Sequence, residues 1–274
     1  MQLVDIGANL SHESFSHDFD EVIEAAEAVM IKHIVVTGTD LESSQAASQL
    51  ARGRPGFFSC TAGYHPHVAS QCNAENFKQI SRLAAQEQSM AVGETGLDYN
   101  RNYSPRQDQL AAFERHLQLA VELQKPLFLH QRDAHADFLG LLKRYRSELT
   151  GGVVHCFTDT EAALQDYLEL DMYIGITGWL CDERRGKELQ SMVARIPSDR
   201  LLVETDAPYL LPRTLSEKPK NRRNEPKYLL EVVKTLAQCT GRSQEQVAMD
   251  TANNAIRLFK LPLSLEIQPA DGAN

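Results

Sequence analysis

The sequence predicts an α/β fold closed into a (β/α)8 TIM barrel, on three observations. Eight short runs rich in β-branched and aromatic residues alternate with helical stretches from one end of the chain to the other, and strict alternation means parallel strands joined by helical crossovers. The 274 residues suit such a barrel, which takes roughly 250. The rival, an open doubly wound sheet, carries a Gly-rich turn after its first strand. Here that turn reads GANLSHESF, and neither G-x-G-x-x-G nor a P-loop occurs.

The strand candidates are residues 3–6, 33–37, 57–63, 90–94, 126–130, 152–157, 172–177 and 201–205. Between them, DEVIEAAEAVM, NAENFKQISRLAAQE, QDQLAAFERHLQLAVELQ and EAALQDYLEL place apolar residues three and four apart, the spacing of one helix face. Caps are expected at Asp40 or Ser43 for the second helix, at Asn73 for the third, and at Asp159 or Thr160 before EAALQ. Beyond the eighth strand, KYLLEVVKTLAQ and SQEQVAMDTANNAIRLF read as the last outer helix and a C-terminal extra. No linker divides the chain, so one domain is expected over residues 1–262, followed by a polar, patternless tail over 263–274.

Composition narrows the function classes. The net charge of −9 argues against a domain that coats nucleic acid by bulk electrostatics, because such domains are basic. It leaves room for an enzyme that meets phosphates through bound divalent cations and a few local Arg and Lys residues. Cys60, Cys72, Cys156, Cys181 and Cys239 form no C-x-x-C pair, so reduced thiols in a cytoplasmic protein are expected rather than a disulfide framework or a zinc ribbon. No apolar run approaches the roughly 18 residues of a membrane span, and MQLVDIGANL lacks the pattern of a secretory signal. A monomer with no membrane attachment is expected.

Barrel active sites are built at the C-terminal ends of the strands. The first strand ends in Gly7-Ala8-Asn9 and the third in Gly63-Tyr64-His65-Pro66-His67. The fourth runs into Glu94-Thr95-Gly96-Leu97-Asp98, the fifth into His130-Gln131-Arg132-Asp133, the sixth into His155-Cys156-Phe157, and the eighth into Glu204-Thr205-Asp206-Ala207-Pro208-Tyr209. Glu94, His130, His155 and Asp206 follow one another at steps of one, one and two βα repeats, so they converge on the barrel mouth. Such a set suits a divalent metal and leaves positions for water and substrate. The blander readings are hydrogen-bonded core histidines and a helix-capping Glu94. Four metal-competent residues at matching positions outweigh them, since buried charge is costly unless paired or metal-bound.

The runs AVGETGLDY (91–99), KPLFLHQRDA (125–134), GVVHCFTD (152–159) and VETDAPYL (203–210), with GYHPH and NRRNEP beside them, resemble the TatD family of metal-dependent deoxyribonucleases over about residues 2 to 260. The resemblance implies an amidohydrolase-like barrel that uses divalent metal to hydrolyse phosphodiester bonds. It matches Glu94, His130, His155 and Asp206 to the family's metal ligands. It also implies a 3′→5′ exonuclease on single-stranded DNA, with RNA as an alternative substrate. Many family members carry His-x-His at the end of the first strand, where this chain has Gly7-Ala8-Asn9. Asn9 then offers only an amide oxygen as an additional ligand. This favours Mg2+ over Mn2+ or Zn2+ and leaves one or two ions open.

On this reading a metal-activated water attacks phosphorus, with Glu94 and Asp206 catalytic and Asp206 taking the proton. His65, Arg132 and Glu204 are placed on the substrate side. Glu204 orients the metal set or, alternatively, is the buried partner of an arginine. Phosphate contacts are expected from Arg101, Arg106, Arg184, Arg185, Lys187 and the run from Lys218 to Arg223, and base stacking from Tyr99, Tyr103 or Trp179. Two rivals remain: an amidohydrolase-type enzyme on a small C–N, ester or lactone substrate, and a non-catalytic binding module.

Overall fold

A computed structural model describes residues 1–263, so the tail expected over 263–274 lies, beyond Leu263, outside the described residues. Eight strands form one sheet in sequence order: β1 (Leu3–Ala8), β2 (Ile31–Val36), β3 (Phe58–Ala62), β4 (Ser89–Asp98), β5 (Leu127–Arg132), β6 (Gly152–Val154), β7 (Tyr173–Ile176) and β8 (Leu201–Val203). Each neighbouring pair is parallel. The ring closes where Ala8 bridges Ala207. There Asn9 N donates to Ala207 O at 2.7 Å and Asp206 N to Gly7 O at 2.8 Å. The (β/α)8 barrel read from the sequence is the fold.

The crossovers are α1 (Phe19–Ala28), α2 (Leu41–Gly53), α3 (Ala74–Ala84), α4 (Arg106–Leu123), α5 (His135–Tyr145), α6 (Glu161–Glu169) and α7 (Lys187–Met192), with α8 (Leu229–Thr240) and α9 (Gln244–Phe259) after β8. Of the alternative caps, Asp40 begins α2, its carboxylate accepting from Ser43 N in a capping box, and Thr160 begins α6. Asn73 caps α3 as expected. Each such bond satisfies a helix N–H that has no partner within the helix.

Side chains alternate along each strand between two cores. Leu3, Leu127, Leu129, Val154, Leu201 and Val203 pack in the layer shared with the outer helices. Val4, Ile6, Phe128, Val153 and Leu202 fill the barrel itself, where Ala252, Ala255, Leu258 and Phe259 of α9 join them. The C-terminal extra helix is thus the plug of the barrel's lower end. Asn254 fastens it, donating to Leu201 O at 2.8 Å where β8 begins.

All eight strands differ from their expected bounds by a residue or more, and the differences at β4, β6 and β8 bear on the site. β6 and β8 end at Val154 and Val203, short of residues 157 and 205, although His155 N still donates to Leu129 O at 2.9 Å and Glu204 N to Ile176 O at 3.1 Å. β4 instead continues to Asp98, across a register shift between Val92 and Thr95.

Candidate metal centre

The strand parity that sends Phe128, Val153 and Leu202 into the barrel also sends His130, His155 and Glu204, two residues further on, into its mouth. Glu94 breaks that rule. Ala91 faces inward with the barrel core, so simple alternation would turn Glu94 outward with Val92. The register shift of β4 restores it, a bulge of the kind that re-aims side chains beside active sites. Gly93 makes this possible: its φ is +141°, and a Cβ there would sit 2.2 Å from Phe128 O.

Glu94 is the hub. Its Oε1 lies 2.8 Å from His155 Nε2, 3.1 Å from His130 Nδ1 and 3.3 Å from His65 Nε2. The outer nitrogens of two of these rings are tied to further carboxylates. His130 Nε2 is 3.3 Å from Asp98 Oδ2, and His155 Nδ1 is 3.3 Å from Glu204 Oε2. A carboxylate behind an imidazole holds the outer N–H and leaves the inner nitrogen's lone pair for a cation. Two such relays, Asp98–His130 and Glu204–His155, therefore aim at the same Glu94 oxygen.

His65, Glu94 and His130 offer donor atoms within 4.8 Å of one another, but hydrogen bonding gives His65 a different character. Its Nδ1 accepts from the backbone N–H of His67 at 3.1 Å, so the neutral ring carries its proton on Nε2, facing Glu94. Burial pushes His65 down to about 4, despite the opposing charge of Glu94. In this hydrogen-bond arrangement a neutral N–H of His65 faces the mouth.

Charge in the cluster converges on Glu94. Burial raises the Glu94 carboxyl, yet His155 and His65 outweigh it and hold the group well below its ordinary range. Burial opposes the charge of His155, but Glu94 and Glu204 raise it well above the usual histidine value. His130 is raised against its burial by hydrogen bonds to Asp98 and Glu94. These histidines hold protons where a divalent cation would replace them. The donor chemistry therefore fits a metal: one carboxylate oxygen faced by two braced imidazoles.

Asp206 stands at the β8 side with φ +54°. Its Oδ1 accepts from Asn9 Nδ2 at 3.0 Å. Burial pushes it up to about 7, against the pull of His155. Asn9 meets this carboxylate through its amide N–H and so orients Asp206.

Several expectations need correction. Glu204 is wholly buried, with Oε1 accepting from Cys156 N at 2.6 Å and Oε2 on His155. It cannot reach a substrate, and its partner is a histidine rather than an arginine. It fills space beneath Gly7, where a Cβ would fall 2.5 Å from Glu204 Oε2 and 2.9 Å from Phe128 Cζ. Arg223 leaves the basic patch as well: only 9% exposed, it is paired with Asp18 at 2.6 Å and Glu225 at 2.9 Å. Arg184, Arg185 and Arg213 are bound up with Asp182 and Glu183. Arg132 is held more loosely, 3.5 Å from Thr158 Oγ1 and with its guanidinium 5.3 Å from the Trp179 ring centre. Asp98 and His67, which are 2.8 Å apart, were not singled out from the sequence. Their sequence signals are GYHPH, which carries His67, and GETGLDY, which places an acid one βα repeat from His130.

A (β/α)8 barrel whose mouth braces imidazoles and carboxylates around one point fits the class of metal-dependent hydrolases. Within it, the chain matches the family described as TatD related DNase over residues 4–260 and belongs to that family. A relative from Citrobacter rodentium named 3′-5′ ssDNA/RNA exonuclease TatD is 48% identical over 95% of this chain and 99% of its own length. A protein of the same name from Cronobacter sakazakii is 49% identical over 94% and 97%. Among solved structures, a TatD homologue from Escherichia coli k12 superposes with a TM-score of 0.86 at 25% identity, covering 95% of this chain and 98% of that one.

Proposed function

We propose that this chain is a metal-dependent nuclease that removes nucleotides from the 3′ end of single-stranded DNA, and of RNA, by hydrolysing phosphodiester bonds. The observation that carries the reading is the convergence of the Asp98–His130 and Glu204–His155 relays on Glu94 Oε1. Glu94, His130, His155 and Asp206 would hold the metal, Mg2+ first, with Mn2+ or Zn2+ as alternatives. A second ion would lean on Asn9, Glu94 and Asp206. A divalent ion there supplies Lewis-acid polarisation of a phosphate oxygen and lowers the pKa of water.

The chain's own groups do the rest. Asp206 takes the proton of the attacking water, and Asn9 fixes the carboxylate's direction. His65 donates its Nε2–H to a phosphate oxygen, and Arg132 meets the strand at the rim. Asp98 and Glu204 touch no substrate but fix the ring orientation of His130 and His155. The names of the relatives support this substrate class and polarity. We take the enzyme as a cytoplasmic monomer with one domain over residues 1–262; its five free cysteines support the compartment.

The test is hydrolysis of a 5′-labelled single-stranded oligonucleotide with Mg2+, with a chelator, and by the Glu94→Gln variant. The expected result is a ladder shortening from the 3′ end, abolished by chelation and reduced at least about 10³-fold in the variant. Full activity in the variant refutes the site. Absence of cleavage with any of the three metals refutes the nuclease reading and turns attention to a small ester or amide.

A further inference from the structure

The large hydrophobic side chains exposed among the described residues are Met30, Tyr103, Tyr209 and Met249. Isolated exposed methionines are unremarkable. The two tyrosines are set differently, because both stand on the loops of the active face. Tyr103 is 67% exposed, on the loop after β4; Tyr209 is 51% exposed, on the loop after β8. In a ring of eight strands, β4 and β8 lie opposite one another, so the metal centre lies between the tyrosines.

Each ring is propped edge-to-face by a histidine that is itself locked. His67 meets Tyr103 at 4.8 Å and 70°, and its Nε2 is tied to Asp98 Oδ2 at 2.8 Å. The other oxygen of Asp98 accepts from Asn100 N and Arg101 N, so one carboxylate fixes both the prop and the loop that carries Tyr103. His12 meets Tyr209 at 5.9 Å and 80°, and its Nδ1 accepts from Ser14 N at 3.1 Å. The backbone of Tyr209 is anchored in turn, its N–H donating to Asp206 O at 2.9 Å. Rigid aromatic rings with open faces lose little entropy on contact.

We propose that Tyr103 and Tyr209 are two base-stacking subsites, one on each side of the scissile phosphodiester, for unpaired nucleobases of a strand laid across the barrel mouth. The other aromatic candidates are already engaged. Tyr99 carries the guanidinium of Arg106 at 4.0 Å from its ring centre, and Trp179 that of Arg185 at 4.3 Å. With a net charge of −9 and Arg184, Arg185, Arg213 and Arg223 of the β7 and β8 loops paired to acids, stacking takes over work that a basic groove does elsewhere. Stacking tolerates any sequence because every base has a π-face. It also selects single strands, since duplex bases are already stacked.

The inference rests on the nuclease reading, and the test separates the two. KM is measured on a short 5′-labelled thymidine strand and on the same strand with one abasic residue, terminal or penultimate at the 3′ end. Tyr103→Ala and Tyr209→Ala are each expected to raise KM about ten-fold on the intact strand, and Tyr→Phe to restore it. On the abasic strands, whose KM is already higher, each Ala substitution adds nothing further at one of the two abasic positions. Wild-type cleavage with KM unchanged in both Ala variants overturns the stacking subsites alone, as does a penalty that persists on both abasic strands. A wild-type enzyme that cleaves no strand overturns the nuclease reading and takes this inference with it.

Discussion

At the lower end of the barrel Phe128, Val153 and Leu202 meet the apolar face of α9, whereas two residues along the same strands stand His130, His155 and Glu204. One rise of the pleat turns an oily plug into a cluster of buried ionisable groups. The lower end gains chiefly from water exclusion, with Asn254 fastening the helix to β8. The upper end gains nothing from burial itself. It is stable because each buried charge faces another, and in the proposed enzyme a cation would complete the arrangement. Stability and chemistry are thus stacked in successive layers of one sheet.

The sharpest way to break that division is at the plug. Phe259→Ala should lower unfolding free energy by about 3–5 kcal/mol, read as a drop in denaturation midpoint, with kcat on a single strand within two-fold of wild type. A large fall in kcat in folded protein would show that the layers are coupled.

A smaller effect should come from the support behind the mouth. His116 on α4 is buried, its Nε2 accepting from Tyr64 N at 3.1 Å beside His65. Burial pushes it down to about 4 from the ordinary 6.5. The unfolded chain therefore binds this proton first on acidification, and the stability gained from keeping the ring neutral is full above pH 6.5 and lost as pH falls towards 4. His116→Gln should flatten that acid loss by an amount on the order of 2 kcal/mol, measured as the difference between the two proteins' unfolding free energies against pH. Parallel pH profiles would assign the loss to other groups.

The smallest effect belongs to the outermost charges. Replacing Lys218, Lys220 and Arg222 with Ala should leave stability within about 0.5 kcal/mol. It should flatten the dependence of log KM on log salt by up to about 2, three phosphate contacts at the single-strand slope. An unchanged slope would remove this loop from the substrate path.

Much of this was legible because a barrel repeats. The strand-plus-helix period put Glu94, His130, His155 and Asp206 at matching ends, and the fold followed from alternation, length and the lack of a Gly-rich turn after the first strand. Local patterns failed where distant parts of the chain decide. Glu94 points inward through a bulge that no alternation foretells. Arg223 reads as part of a solvated basic run, yet Asp18, near the other end of the chain, buries it. Asp98 and Tyr209 were within quoted motifs, but their roles depend on His67 and His12, which only the folded loops bring beside them.

Gly7 and Glu204 compete for one small volume, and this sets the order in which a descendant sequence can change. A histidine arriving alone at position 7 meets the Glu204 carboxylate, so it is damaging before it is useful. Shortening Glu204 first removes the brace of His155. Passage between a Gly-x-Asn mouth and a His-x-His mouth therefore crosses a valley that neither single step avoids. The two kinds of centre are held apart by crowding as much as by chemistry.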